Sequence, residues 1–385
     1  MPPSIRRCLA LAAPWLLLAA PLSAAWSWSE QVRGSDLWLT AAENGARRFD
    51  LRLGAGGAIA ELDLLPGGTN LLAAPFGDNE TDRVMQWTLW SDSYSAAGEP
   101  FNENLAGSGD GTFSPLGLVR RNPGTLDVFA QPQDQWDRAL NPQMRAAYPA
   151  LTRYQPLPDG VLAVRRVVLV GEAAGPAAPG GGRYDVYFEQ WNPFRSGPGA
   201  FDAFALSLDG GGAPNWWYRQ NYNVPYYPYF AARNTFGYAL AYREAGWPAA
   251  PLVGVAFSTA ALRLADPSVA AVGGGPVFNS MDWGSQTPAD QGIALLPALQ
   301  LFAVPAGSVI DFTYYVVLRS SADAALRPDL QALVAAAPAP VLYGPEHRFV
   351  GELAPIVATL QRELSQPGVR TNHLAPLLLY APAAP

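Results

Sequence analysis

Glu189, Gln190, Trp191 and Asn192 follow one another at the end of residues 184–188, whose apolar and polar alternation reads as a β-strand. A carboxylate held on a rigid strand can act as general acid or base once burial raises its pKa. Gln190 and Asn192 can bind hydroxyl groups, and Trp191 offers a flat apolar face. The plainer alternative is a strand-ending turn with Trp191 in the core.

Further along, residues 215–230 read NWWYRQNYNVPYYPYF. They carry Trp216, Trp217, Tyr218, Tyr222, Tyr226, Tyr227, Tyr229 and Phe230, with Val224 as the only aliphatic side chain. A core strand would bring Val, Ile and Leu, and a solvated loop would bring Ser, Gly and charge. Rings interleaved with Asn, Gln and Arg219 suit a ligand with both apolar faces and many hydroxyls. Three uses remain open: a ligand platform, a lid packed over a sheet edge, or a surface for a protein partner. Arg219 and Arg233 bracket the tyrosines. Tyr222, Tyr226 or Tyr227 beside Arg219 or Arg233 meets the needs of proton abstraction next to a carboxylate. The phenol exchanges the proton and the guanidinium neutralises the carboxylate.

A third cluster holds Glu80, Asp82 and Arg83, followed by Trp87 and Trp90. Cleavage of a glycosidic bond by hydrolysis uses two carboxylates, and Glu80 or Asp82 is a candidate member. A loop ion pair with Arg83 is the alternative. Residues 99–104 are polar around Phe101 and read as an exposed loop or a site lining. Asp282 and Trp283 form one more carboxylate–tryptophan pair. His347, between Glu346 and Arg348, reads as a surface histidine. No spacing of His and carboxylates resembles a structural metal site, and no Walker loop, nucleophile elbow or dinucleotide fingerprint is present. No cofactor and no structural metal is expected, and a Ca²⁺ site of carbonyls and carboxylates stays open.

Elements to position these residues come from short alternating runs separated by glycine and proline, each of which occurs 37 times. Residues 49–53 and 60–64, joined across a glycine turn, read as a β-hairpin. Residues 161–170 and 184–188 read as a second pair across a flexible loop, 171–182. Further strands are expected at 201–208, 236–242, 253–258, 292–302 and 309–318. Many strands of this spacing imply one large antiparallel β-sandwich over residues 26–335. A short helix capped by Ser321 is expected through Ala335. Residues 336–340 read as a linker. Leu353, Ile356, Val357, Leu360 and Leu364 then form one helical stripe that should pack on the sandwich. An extended tail follows, which gives a small helical appendage over 336–385.

The chain opens with Arg6 and Arg7, an apolar run over 9–22, and the small residues Ser23, Ala24 and Ala25. This reads as a signal peptide cleaved after Ala25, with no stable membrane insertion afterwards and a secreted or periplasmic destination. The single cysteine, Cys8, lies within it, so the mature chain has no disulfide and stands on its core alone. Loss of Arg6 and Arg7 takes the formal charge from −7 to −9. An acidic protein of this kind is not expected to bind nucleic acid or anionic membranes. The sequence has no lysine, which excludes Schiff-base chemistry.

Three stretches carry a resemblance. They are Gly56-Gly57-Ala58-Ile59 through Asn70-Leu71-Leu72; Glu189-Gln190-Trp191-Asn192-Pro193; and residues 295–318 with their Pro305-Ala306-Gly307 turn, which looks like a closing hairpin. In this order, over roughly residues 40–335, they resemble the galactose mutarotase-like supersandwich. The resemblance implies a large antiparallel sandwich and a sugar ligand. It also implies a central catalytic histidine, which the sequence cannot supply, because His347 and His373 both lie beyond residue 346. Ordinary mutarotase activity is therefore not expected. The same architecture serves polysaccharide lyases, glycoside hydrolases and sugar-binding scaffolds. The expectation is a lyase or hydrolase acting on a polysaccharide or oligosaccharide, with catalytic candidates Glu189, Tyr222, Tyr226, Arg219 and Arg233. Trp191, Asn192, Trp216, Trp217, Tyr218, Tyr227, Trp87, Trp90, Glu80 and Arg83 would bind the substrate. The alternative is a glycan-binding or envelope-assembly protein without catalysis.

Overall fold

A computed structural model describes residues 26–33, 36–54, 57–72, 85–91, 100–102, 118–130, 133–134, 148–170, 183–191, 193–195, 201, 203–207, 216–219, 230–233, 237–242, 252–258, 260–283, 292–319 and 326–361. It is mainly β, with a small helical part. The first strands are β1 (Trp26–Arg33), β2 (Asp36–Glu43), β3 (Ala46–Leu53), β4 (Ile59–Leu64), β5 (Thr69–Asn70), β6 (Gln86–Ser91), β7 (Pro100–Asn102) and β8 (Leu118–Asn122). They are followed by β9 (Thr125–Ala130), β10 (Gln133–Asp134), β11 (Ala150–Leu157), β12 (Val161–Leu169), β13 (Arg183–Trp191), β14 (Pro193–Arg195), β15 (Ala203–Ser207) and β16 (Trp216–Arg219). The last are β17 (Phe230–Arg233), β18 (Tyr238–Tyr242), β19 (Leu252–Phe257), β20 (Arg263–Leu264), β21 (Gly273–Trp283), β22 (Gly292–Pro305), β23 (Val309–Arg319) and β24 (Val341–Tyr343). The helices are α1 (Leu326–Ala336) and α2 (Leu353–Thr359).

Among the described residues these strands form three sheets. The first is the meander β1-β2-β3-β4-β5. The second runs β10-β7-β6-β13-β22-β21-β17, with β14 also on β22. The third runs β16-β15-β18-β19-β23-β12-β11-β9-β8, with β24 on β23 and β20 on β24. The meander is tied to the second sheet by antiparallel bridges from Ile59 to Met85 and from Leu72 to Phe194.

One face of the third sheet carries Leu162, Val164, Val168, Ile310, Phe312, Tyr314 and Val316, which enter the main core with Val186, Phe188, Leu299 and Leu301 of the second sheet. The opposite face is also covered. Leu330, Val334 and Ala337 of and beside α1 pack on Val161, Ala163, Leu240, Tyr315 and Val317. Ile356, Val357 and Leu360 of and after α2 pack on Phe129, Leu151, Val167, Leu169 and Val309. This is why β23, VIDFTYYVVLR, is buried at every position and reads as a continuous β-branched and aromatic run.

The hairpin expected at 49–53 and 60–64 is the β3–β4 pair; of the stripe expected on the C-terminal helix, Leu353, Ile356, Val357 and Leu360 pack on the sandwich, and Leu364 lies outside the described residues. Two expected pairings are corrected. β12 and β13 do not pair: β12 lies between β11 and β23, and β13 lies between β6 and β22, in another sheet. The turn at Pro305-Ala306-Gly307 is likewise no hairpin, because β22 belongs to the second sheet and β23 to the third. There Gly307 (φ 80°) donates to the Val170 carbonyl, and the Ser308 carbonyl accepts from Val170 N–H, so the turn is a corner between sheets. Alternation identifies a strand but leaves its partner open. The expected linker gives way at 341–343 to β24, whose Val341 and Leu342 are buried against β23.

Candidate functional site

Glu189 sits in the middle of the second sheet, opposite Thr88 of β6 on one side and Ala298 of β22 on the other. Ala298 faces Val277 of β21, and Val277 faces Arg233 of β17. Thr88, Glu189, Ala298, Val277 and Arg233 therefore form one cross-strand row. Three strand spacings separate Glu189 from Arg233, about 14 Å between backbones. Val186 and Phe188 enter the main core. Strand alternation consequently puts position 189 on the other face, with the exposed Asp185 and half-buried Tyr187. Trp90 is paired with Tyr187, which places it in the adjacent row of that same face. Trp87 is paired with Gln190 in the alternate set, and Trp191 with Gln86.

The aromatic segment begins and ends on sheet margins. β16 is the end strand of the third sheet and β17 the end strand of the second. Trp216 and Tyr218 take alternate positions from Trp217 and Arg219. In the register, Tyr218 pairs with Phe204, Phe204 with Ala241 and Ala241 with Val253, whereas Trp217 pairs with Ala205 and Ala205 with Leu240. Arg233 thus shares a sheet with Glu189, and Arg219 does not. Glu80, Arg83, Asn192, Tyr222, Tyr226 and Tyr227 lie outside the described residues.

A second arrangement arises where no motif announced it. Arg153 and Arg165 are cross-strand partners on β11 and β12. Arg165 Nε and Nη2 donate to Asp311 Oδ1 and Oδ2 at 2.9 and 2.8 Å. Arg153 Nε and Nη2 donate to Asp127 Oδ1 and Oδ2 at 2.6 and 2.9 Å. Each guanidinium is fixed from behind by a bidentate carboxylate, which leaves Nη1 free to reach forward. Both Nη1 atoms reach the same group: that of Arg153 donates to Glu352 Oε2 at 2.9 Å and that of Arg165 to Glu352 Oε1. The hydrogen bond from Arg165, followed by its charge, holds the Glu352 carboxyl below its ordinary pKa.

This network lines a cavity of about 800 Å³ on the outer face of the third sheet, between the patches that α1 and α2 cover. Gln155, Thr313, Tyr315, Tyr343 and Arg263 share the lining. Burial raises the pKa of the Tyr315 phenol, and burial is also the largest cause of the rise at Tyr343. Both phenols are therefore neutral donors at neutral pH. The next residue after Arg165 takes the opposite face: Arg166 is fully buried within the core and donates from Nη1 to Thr152 Oγ1. Neither arginine stands out in the sequence, where both fall within the strand expected at 161–170.

Among the described residues, no group of three or more His, Cys, Asp or Glu is placed to hold a metal ion. No helix among them is long and apolar enough to cross a membrane.

No protein-family profile matches the chain. No curated protein matches it in sequence. Among solved structures, it is similar to a provisionally assigned aldose 1-epimerase from Klebsiella pneumoniae, with a TM-score of 0.42 and 11% identity over 84% of this chain and 92% of that one. It is also similar to a TPR-domain containing protein from Parabacteroides distasonis, with a TM-score of 0.40 and 9% identity over 74% of this chain and 47% of the other. A heparinase III gives a TM-score of 0.32 and 8% identity over 79% of this chain and 36% of the other. The chain spans about half and about a third, respectively, of the length of these last two. All three are similarities of shape, and none assigns this chain to a family.

Proposed function

We propose that the protein is a secreted or periplasmic carbohydrate-active protein that cleaves a polysaccharide on the β6–β13–β17 surface, by elimination at a uronic acid or by glycoside hydrolysis. The observation that carries this reading is the row joining Glu189 to Arg233 across one sheet face, with Trp90 in the adjacent row. In elimination, Arg233 neutralises the uronate carboxylate and thereby acidifies the C5 proton. Glu189, or a tyrosine of the 220–229 stretch, takes that proton. The C5–H electron pair becomes the C4–C5 double bond, the C4–O bond breaks, and the leaving oxygen is protonated. In hydrolysis, Glu189 is one of two carboxylates and Glu80 or Asp82 supplies the other. The rings that start at β16 and end at β17 supply stacking faces for sugar units.

Incubation of the purified mature protein with neutral and uronic polysaccharides tests this reading. A rise in unsaturated-uronate absorbance indicates elimination, and new reducing ends without it indicate hydrolysis. Retarded migration in polysaccharide gels without product identifies a non-catalytic glycan-binding or envelope-assembly protein. Neither product nor retardation rejects the reading.

A further inference from the structure

We infer that the cavity between α1 and α2 is a binding site for a small carboxylate-bearing molecule, and that the Glu352 carboxylate occupies the ligand's place until it is displaced. The site lies on the third sheet and is independent of the activity proposed for the second.

The geometry of the two arginines carries the inference. Asp127 and Asp311 each take two nitrogens of one guanidinium, and the remaining Nη1 atoms converge on a single carboxylate. Two such donors held in place form a receptor for one carboxylate group, because little ordering remains to be done on binding. Asp127 and Asp311 side chains are 5% and 11% exposed, whereas that of Glu352 is 61% exposed. The two aspartates are thus built-in supports, and Glu352 is the member that can leave. Its departure does not uncap α2, since the Glu352 side chain makes no capping hydrogen bond there. With Glu352 withdrawn, Arg153, Arg165 and Arg263 outnumber Asp127 and Asp311, so the site favours an anion. Around that point, Gln155, Thr313 and the Tyr315 and Tyr343 hydroxyls offer hydrogen bonds to a polyhydroxylated body. A volume of about 800 Å³ holds a molecule of hexuronate size with room to spare.

Calorimetric titration with D-glucuronate tests the inference on the intact protein and on Glu352→Ala. Removing the internal competitor should tighten binding about fivefold, the scale of an exposed ion pair. Arg165→Gln introduced into Glu352→Ala should abolish that binding. If the double variant does not fold by circular dichroism, the ligand is changed instead: glucuronamide, which lacks the charge, should bind Glu352→Ala at least tenfold more weakly than glucuronate. Equal affinity for the two ligands overturns the inference. So does affinity that is unchanged or reduced in Glu352→Ala, which would make Glu352 only a fastener of α2. Absence of binding to both proteins at about 10 mM glucuronate also overturns it. None of these outcomes bears on polysaccharide cleavage, so the two readings fail separately.

Discussion

Arg153 and Arg165 stand directly opposite each other in the β11–β12 ladder. Like charges in that position repel, yet here the pair is held by three carboxylates. The members are not equal in weight. Removing Asp311 strands Arg165 in a largely desolvated place, so Asp311→Ala should lower unfolding stability by about 2–4 kcal/mol. The Glu352 carboxylate is mostly in water, and Glu352→Ala should cost less than about 1 kcal/mol. Urea denaturation of the two variants checks the order, which would be reversed if Glu352 were the main fastener.

Acid should loosen the segment from β24 to α2 before the rest of the chain. Glu352 is held below its ordinary pKa by Arg165, and Asp266 by its bond from Ser268, aided by the Gly344 N–H at 2.7 Å. A carboxyl whose folded pKa is depressed stabilises the fold fully above its unfolded value, near 4. That stabilisation fades as pH falls through the lower folded value. Amide exchange over residues 341–361, corrected for its intrinsic pH dependence, should be slow at pH 6 and accelerate more than the β12 and β23 amides below pH 4. Uniform behaviour across these segments would contradict the expectation.

Two neighbouring glycines should respond differently to the same substitution. Gly274 has φ +96°, and a Cβ there would stand 2.0 Å from the Gln300 carbonyl oxygen. Gly274→Ala therefore needs backbone movement in both β21 and β22, and should cost about 3 kcal/mol or more. Gly275 has no atom within 4 Å of a built Cβ. Gly275→Ala should stay within about 1 kcal/mol of the parent. Thermal melts of both variants decide the matter.

If the β13 surface cleaves a polysaccharide, Glu189→Gln should reduce turnover roughly a hundredfold or more with little change in melting temperature. Trp217→Ala separates two roles for the aromatic segment. Weaker substrate binding with unchanged stability assigns it to the ligand, whereas lost stability with unchanged binding assigns it to packing. Initial rates over a substrate series, read beside the melting curves, make the distinction.

By itself, the sequence determined the class of the protein. Alternation of period two, with glycine and proline at the breaks, marks β3, β4 and β13 as strands with two faces in different surroundings, whereas β19 and β22 read as short, nearly continuous apolar runs, and β19 is buried at every position. The stripe Leu353, Ile356 and Val357 likewise announced a helix with one buried side. Tertiary structure alone decided which strands meet. Nothing in residues 161–170 or 184–188 encodes their partners, since any strand offers the same backbone hydrogen bonds, and the third and second sheets claimed them separately. The Glu189–Arg233 row follows from that assortment, as does the passage of the aromatic segment from the margin of one sheet to the margin of another. The cavity was less legible still. Arg165 and Arg166 are adjacent and alike in sequence, but a strand sends neighbours to opposite faces. One therefore meets Asp311 and Glu352 in the cavity between the helix-covered patches, and the other lies in the core against Thr152.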